Sequence, residues 1–186
     1  MKKKSILVVL KNQLLVLATV LMAWTNTTCA QAALDKKYGE KVKTLDSTIA
    51  TLYSVISGEK GEERDWELFR YLYYPGAQMA ASGKNPEGQV GARYLTPGEY
   101  ISNSGDWLLT NGFFEDEIHR TTEQFGPIAH VFSTYETFHS RTEAEPFMRG
   151  INSIQLLYTG ERWWVMNIFW AQETEENPIP KEYLPN

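Results

Sequence analysis

Three sets of side chains in this 186-residue chain have the types and spacing to carry chemistry. They are the histidines at 119, 130 and 139, an acidic cluster of Glu115, Asp116, Glu117 and Glu123, and single polar residues among apolar ones at Tyr135, Ser153 and Gln155. Histidines on consecutive strands invite a metal site. A hairpin turning about Gly126, however, sets His119 opposite Ser133 and His130 opposite Thr122, a stagger of about 10 Å. The two therefore do not share an ion, and neither a metal nor another cofactor is expected. The same alternation puts His119, Ser133, Tyr135 and His139 on one sheet face and His130 on the other. Paired carboxylates do acid and base work when their surroundings separate their pKa values, whereas charges along an edge strand guard against aggregation. The edge reading fits most of the cluster. Glu117 is the exception, because its parity places it beside His119, so His119, Tyr135 and Glu117 are the candidates for proton transfer.

Ser153 and Gln155 alternate on an otherwise apolar strand, and buried polar groups need partners. Either they bond a ligand or they bond their neighbours. Trp164, Met166, Ile168 and Trp170 share one parity on the last strand and form one face of it. Arg149 can hold a carboxylate or pair with Glu143 or Glu145. No Gly-rich phosphate loop, hydrolase elbow or Ser/His/Asp triad is recognisable.

The elements that must position these residues can be read from periodicity and punctuation. Leu45, Ile49, Leu52 and Ile56 repeat at helical spacing and stop near Gly58. Asp65 caps a second helix carrying Trp66, Phe69 and Leu72, which Pro75-Gly76 ends. Thr96-Pro97-Gly98-Glu99 reads as a capping box with proline in the first turn, opening a third helix to Asn111-Gly112. Residues 77 to 95 read as short strands about a Gly/Pro-rich loop. Residues 113–124, 128–140, 147–158 and 162–172 then form a four-stranded antiparallel meander, separated by Gly126-Pro127, Ala144 to Pro146 and Thr159-Gly160.

Residues 1–32 read as a signal peptide, with lysines at 2 to 4, an apolar run from Leu14 to Trp24 and small residues at Ala30 and Ala32 that suit cleavage after Ala32. That run is shorter than the roughly 20 residues a membrane-spanning helix needs, so no transmembrane anchor is expected. The alternative is a lipoprotein attached through Cys29, the only cysteine. The expected location is the periplasm or the exterior. Removing the segment leaves 14 basic against 23 acidic residues, a balance of −9, with scattered arginines. Such a surface excludes nucleic acid as a partner. Residues 33–43 are expected to be a disordered or frayed leader, 44–172 the folded domain and 173–186 a surface tail.

The runs Phe125-Gly-Pro-Ile-Ala-His-Val-Phe-Ser-Thr-Tyr-Glu136, Arg149-Gly-Ile-Asn-Ser-Ile-Gln-Leu156 and Arg162-Trp-Trp-Val165 resemble the nuclear transport factor 2-like superfamily, in its secreted bacterial SnoaL-like subgroup. The resemblance covers residues 44–172. It implies an α+β fold, three N-terminal helices packed on a strongly curved, mainly antiparallel sheet that forms a conical α+β barrel. The superfamily includes ketosteroid isomerases, dehydratases, epoxide hydrolases, polyketide cyclases and non-catalytic binders, so fold alone does not assign chemistry. In the ketosteroid isomerase pattern, the position of the protonated acid falls on Ser153, and Tyr53 does not keep the family spacing, so that activity does not carry over.

Laid on the family's last hairpin, Trp164, Met166, Ile168 and Trp170 line the cavity. The resemblance thus implies an exported domain binding a small apolar or amphipathic molecule inside the cone, with Tyr135, Ser153, Gln155, Trp164, Met166 and Trp170 as ligand-binding residues. A lyase, isomerase or cyclase using His119, Tyr135 and Glu117 in the same cavity is the enzymatic alternative. A periplasmic protein-interaction module is the third. Residues 154–158 and 163–170 are apolar on both faces, which suggests a homodimer through the outer sheet face, with Val165 and Phe169 in an isologous interface.

Overall fold

The computed structural model describes residues 31–185, so positions 1–30 of the expected signal peptide, Cys29 among them, lie outside the described residues. The chain divides into a unit ending at Gly39 and a second unit from Glu40 onward. In the first, residues 31–38 are helical rather than frayed. At the start of the second, Val42 is fully buried and the Lys41 carbonyl accepts a hydrogen bond from Thr51 Oγ1 at 3.0 Å, contacts that fix what charge alone suggested would be loose.

Three helices follow, each begun by a side chain that satisfies free N–H groups of the first turn. Thr44 and Ser47 form a reciprocal capping box on α1 (Leu45–Ser54), and Asp65 accepts from the Leu68 amide at the start of α2 (Trp66–Leu72). Thr96 and Glu99 close the expected box on α3 (Pro97–Asn111), with Pro97 in the first turn. Gly112 then ends α3 at φ 73°, a left-handed conformation that glycine adopts without strain.

The strands are β1 (Tyr73–Lys84), β2 (Val90–Leu95), β3 (Phe114–Phe125), β4 (Ile128–Phe138), β5 (Met148–Tyr158) and β6 (Trp163–Gln172). They form one curved, mixed sheet in the order β2-β1-β6-β5-β4-β3. The meander is antiparallel as expected, and β1 joins it by parallel pairing with β6. Pro75-Gly76 do not precede the strand but sit within β1, where its register slips between Tyr73 and Gln78. A residue without an N–H is tolerated at such an irregularity.

Two further irregularities decide which side chains face the helices. In β3 the partners jump from Glu117↔Tyr135 to His119↔Thr134, leaving Ile118 as an extra residue. In β6 they jump from Leu156↔Val165 to Gln155↔Asn167, leaving Met166 extra. Each bulge shifts the alternation by one. Consequently Trp163 and Val165 are buried against the helices before the β6 bulge, and Ile168 and Trp170 take that face after it. The expectation that Val165 lies on the outer face is thereby corrected, since it is fully buried, while Phe169 is 43% exposed there.

Arg64 anchors the turn between α1 and α2 from beneath. Its guanidinium donates to the carbonyls of Ile56, Gly58, Glu62 and Leu108, so one buried cation holds three segments together. The C-terminal tail crosses the outer sheet face. There Thr134 Oγ1 donates to the Tyr183 carbonyl at 2.7 Å and the Tyr183 ring meets Phe132 edge-on at 5.0 Å.

Candidate functional site

Between the helices and the sheet lies a cavity of about 260 Å³. Helical spacing supplies one side of it, with Leu52, Tyr53 and Ile56 from α1, Phe69 from α2, and Tyr100, Ser104, Trp107 and Leu108 from α3. Strand alternation supplies the other, with Tyr73 and Met79 from β1, Tyr135 from β4, Met148 and Asn152 from β5, and Ile168, Trp170 and Gln172 from β6. Phe113 and Glu115 enter at the start of β3. Eight of these residues are aromatic, four of them tyrosines, and none is Lys, Arg or His.

Glu115 is the one carboxyl in this lining. The main chain holds it in place, since its amide donates to Ser57 Oγ at 3.0 Å and Ser57 Oγ donates to the Tyr53 carbonyl. Enclosure pushes its pKa up to about 7, with a smaller push from Asp116, against the opposing hydrogen bond from Asn152. Burial of a charged group without a counter-ion has this sign. The carboxyl is thus near half-protonated at neutral pH, able to give or to accept a proton.

A chain of hydrogen bonds leads from Glu115 to the surface. Asn152 Nδ2 donates to Glu115 Oε1 at 3.2 Å and to the Tyr53 hydroxyl at 3.1 Å. Tyr53 lies 2.7 Å from Ser133 Oγ, and Ser133 donates to Glu117 Oε1 at 2.5 Å. Because the Ser133 proton is committed to Glu117, Tyr53 must be the donor between them. Arg120 closes the chain, gripping Glu117 through Nε and Nη2 and reaching Asp46 with Nη1 at 2.6 Å. Every link thus has an assigned direction.

The tyrosine hydroxyls around Glu115 all resist ionisation. Burial raises the pKa of Tyr53, Tyr73, Tyr100 and Tyr135, and the Glu115 charge adds to each. They remain neutral hydrogen-bonding groups. The Tyr73 hydroxyl is buried and has no hydrogen-bond partner among the described residues. Tyr135 keeps its place because β5 carries glycine opposite it, and a Cβ on Gly150 would come within 2.5 Å of the Tyr135 hydroxyl.

Of the residues singled out from sequence, Tyr135 and Trp170 line the cavity. Ser153 and Gln155 do not. They pair with Phe132 and His130 on the outer face, where Ser153 Oγ is 2.9 Å from His130 Nε2. The inward polar residue of β5 is Asn152, one position away, since the strand buries its even-numbered residues from Gly150 to Leu156. Trp164 and Met166 are also outside the cavity, because the β6 bulge splits the expected face. Trp164 lies over the Arg162 guanidinium, and Met166 borders an outer groove with Phe125, Ile128 and His130.

His119 pairs with Thr134 beyond the β3 bulge and faces away from the cavity, which removes it from proton transfer there. Glu117 points to the helix side but is absent from the cavity lining, held instead by Arg120 and Ser133. His139 stacks on Phe147 at 4.0 Å, and Arg149 pairs with Glu173 at 2.7 Å rather than with Glu143 or Glu145. Among the described residues no group of His, Cys, Asp and Glu is arranged to hold a metal ion. No helix among them is long and apolar enough to cross a membrane. Sequence reasoning passed over Glu115 because edge charges dominate β3. Its position next to Phe113-Phe114, where the strand leaves α3, is the available signal.

A scan of family models and a search of curated proteins return no match. Solved structures do match. A protein of unknown function with a cystatin-like fold from Nostoc punctiforme is similar at 10% identity and TM-score 0.53, over 70% of this chain and 90% of that one. The beta subunit of a provisionally named aromatic-ring-hydroxylating dioxygenase from Novosphingobium aromaticivorans is similar at 13% identity and TM-score 0.53, over 73% and 94%. A nuclear transport factor 2-like protein of unknown function from Silicibacter pomeroyi matches at 14% identity and TM-score 0.48, over 69% and 92%. At such identities the first two likenesses show the fold alone, the α+β arrangement of helices packed on a curved sheet.

Proposed function

We propose that this chain is an exported small-molecule-binding domain of the SnoaL-like kind, whose ligand is largely apolar with one polar end. The apolar body lies among the rings of α2, α3 and β6, and the polar end meets Glu115 and the Tyr73 hydroxyl. The observation that carries this reading is the buried, unpartnered Tyr73 hydroxyl in a mostly apolar cavity that also holds one carboxyl. Buried polar groups are nearly always satisfied, and small-molecule sites are built from apolar walls with a few placed polar groups. Export rests on the basic, apolar and small-residue order of positions 2–32, and N-terminal sequencing of secreted protein should begin at Ala33. A homodimer through the outer face, with Phe169 in the contact, belongs to the same reading.

Proton-transfer catalysis is the second reading, favoured by the Glu115 carboxyl at about 7 inside the cavity. An acid or base poised near the working pH suits isomerase or lyase chemistry, with Glu115 in place of His119 and Glu117.

A thermal-shift and native mass-spectrometry screen of neutral, cationic and anionic small molecules tests the binding reading. Ligands should raise Tm of the wild type and not of a Ser104→Trp variant, whose indole fills the cavity. A screen with no ligand for the wild type, or with equal shifts in the filled variant, would overturn it.

A further inference from the structure

We propose that the cavity takes a cationic organic amine, with Glu115 as its counter-ion and the surrounding aromatic rings as its walls. This rests on the reading of the cone as a ligand-binding domain and specifies the charge of the ligand.

The charge inventory is one-sided. Glu115 is the only acid in the lining, and no lining residue carries positive charge. Three arginines of the surrounding segments are engaged elsewhere. Arg64 donates to four backbone carbonyls, Arg120 pairs with Glu117 and Asp46, and Arg141 pairs with Asp116. The side-chain donor to the Glu115 carboxylate is the neutral amide of Asn152, at 3.2 Å. A carboxylate so placed is incompletely compensated, and a cation delivered by a ligand restores the balance. An anionic ligand would set like charges together with no base to separate them.

The walls suit the same ligand. Phe69 and Tyr100 stack at 5.3 Å and Trp107 meets Phe113 edge-on at 6.1 Å, and both pairs line the cavity. Ring faces attract ammonium groups most strongly where water is excluded. The polar partners also match in kind. A primary ammonium has three N–H donors and no acceptor, while a carboxylate and a phenol oxygen both accept. The Tyr73 hydroxyl, buried without a partner, offers one such oxygen in the same lining as Glu115 and Tyr100.

Three probes that share a phenylethyl group separate the possibilities, namely 2-phenylethylamine, its isostere 2-phenylethanol and 3-phenylpropanoate, titrated calorimetrically into the full mature chain at pH 8. The amine should bind at least tenfold more tightly than the alcohol, and the carboxylate should not bind. Glu115→Gln should cost the amine at least tenfold while leaving the alcohol within threefold. The wild type supplies a check independent of that variant's folding. At pH 5 its preference for the amine should shrink at least tenfold, as Glu115 takes up a proton among Tyr53, Tyr73, Tyr100, Tyr135, Asn152 and Asp116, the groups that face it or act on it. Equal affinity for amine and alcohol at pH 8, tighter binding of the carboxylate, a preference unchanged at pH 5 or in Glu115→Gln, or no binding by any probe would overturn the amine proposal. The binding reading falls separately, if the wider screen yields no ligand of any charge.

Discussion

Replacing Glu115 by glutamine should stabilise the protein, and by an amount set by pH. Enclosure raises its carboxyl from an ordinary value of 4.5 to about 7. The folded chain therefore keeps a proton that the unfolded chain releases between these values, and stability falls as pH rises through that interval. Above pH 7 the loss is complete, at about 3 kcal/mol from 1.36 kcal/mol per unit. Glutamine is neutral throughout and its Oε1 can still accept from Asn152, so the variant escapes the penalty without losing that bond. Urea denaturation of both proteins at pH 4.5, 6, 7 and 8 isolates the effect, because every other titrating group cancels in the difference. The gap should be near zero at pH 4.5, favour the variant progressively through pH 6 and 7, and level off by pH 8. In a domain of this length it corresponds to a Tm difference of about 6 to 12 °C at the plateau. A gap that does not vary with pH would show that the carboxyl is not held in a low-dielectric wall, and the reasoning about the cavity would fail with it.

Four other outcomes follow from particular contacts. Gly150→Ala should destabilise by about 1–3 kcal/mol in urea titration, because the new methyl overlaps the Tyr135 hydroxyl and the Ala171 carbonyl. Arg64→Met should cost several kcal/mol by the same measurement, since the buried carbonyls of Ile56, Gly58 and Leu108 lose their charged donor. Thr96→Ala should cost about 1 kcal/mol and increase hydrogen exchange at the Glu99 amide, which the hydroxyl caps. Glu173 is held below its ordinary range, chiefly by the Ile179 amide and also by Arg149, so its contribution is present above that range and lost as pH falls through the lowered value. Exchange at the Ile179 amide should accelerate in acid accordingly.

The helices were legible because their punctuation is local. Thr96-Pro97-Gly98-Glu99 and Asp65 act within one turn of the chain, and the structure uses both as caps. The meander was legible for a similar reason, since Gly126-Pro127 and Thr159-Gly160 interrupt runs rich in β-branched and aromatic residues that are too long for single strands. What escaped was the face each residue takes. Alternation groups the side chains of a strand without saying which group faces inward, so in β5 Ser153 and Gln155 turned out and Asn152 turned in; it fails outright at a bulge, which nothing in Ile118 or Met166 as residue types announces. Past Ile118, His119 turned away from the cavity. Past Met166, the set of Trp164, Met166, Ile168 and Trp170 divided in two. The site was partly visible, in Tyr135 and Trp170. Nothing in the local sequence groups Tyr53, Tyr73 and Tyr100, and only the assembled fold brings them around Glu115 from two helices and a strand. The parallel pairing of β1 with β6 was equally non-local, joining segments about ninety residues apart.

The bulge at Met166 makes the identity of the cavity wall a matter of pairing as well as of composition. With Ile154 opposite Ile168 held in register, the same residues paired without the bulge would carry Val165 and Trp163 to the outside and bring Trp164 and Met166 onto the helix-facing side, whereas deleting Met166 would leave Val165 opposite Leu156 and every remaining face unchanged. A descendant that kept its length and lost the bulge would hold almost the same letters, enclose a different interior, and expose a different surface to its neighbours. In this strand a change of pairing is a larger evolutionary step than most substitutions, and it is one that percentage identity scarcely registers.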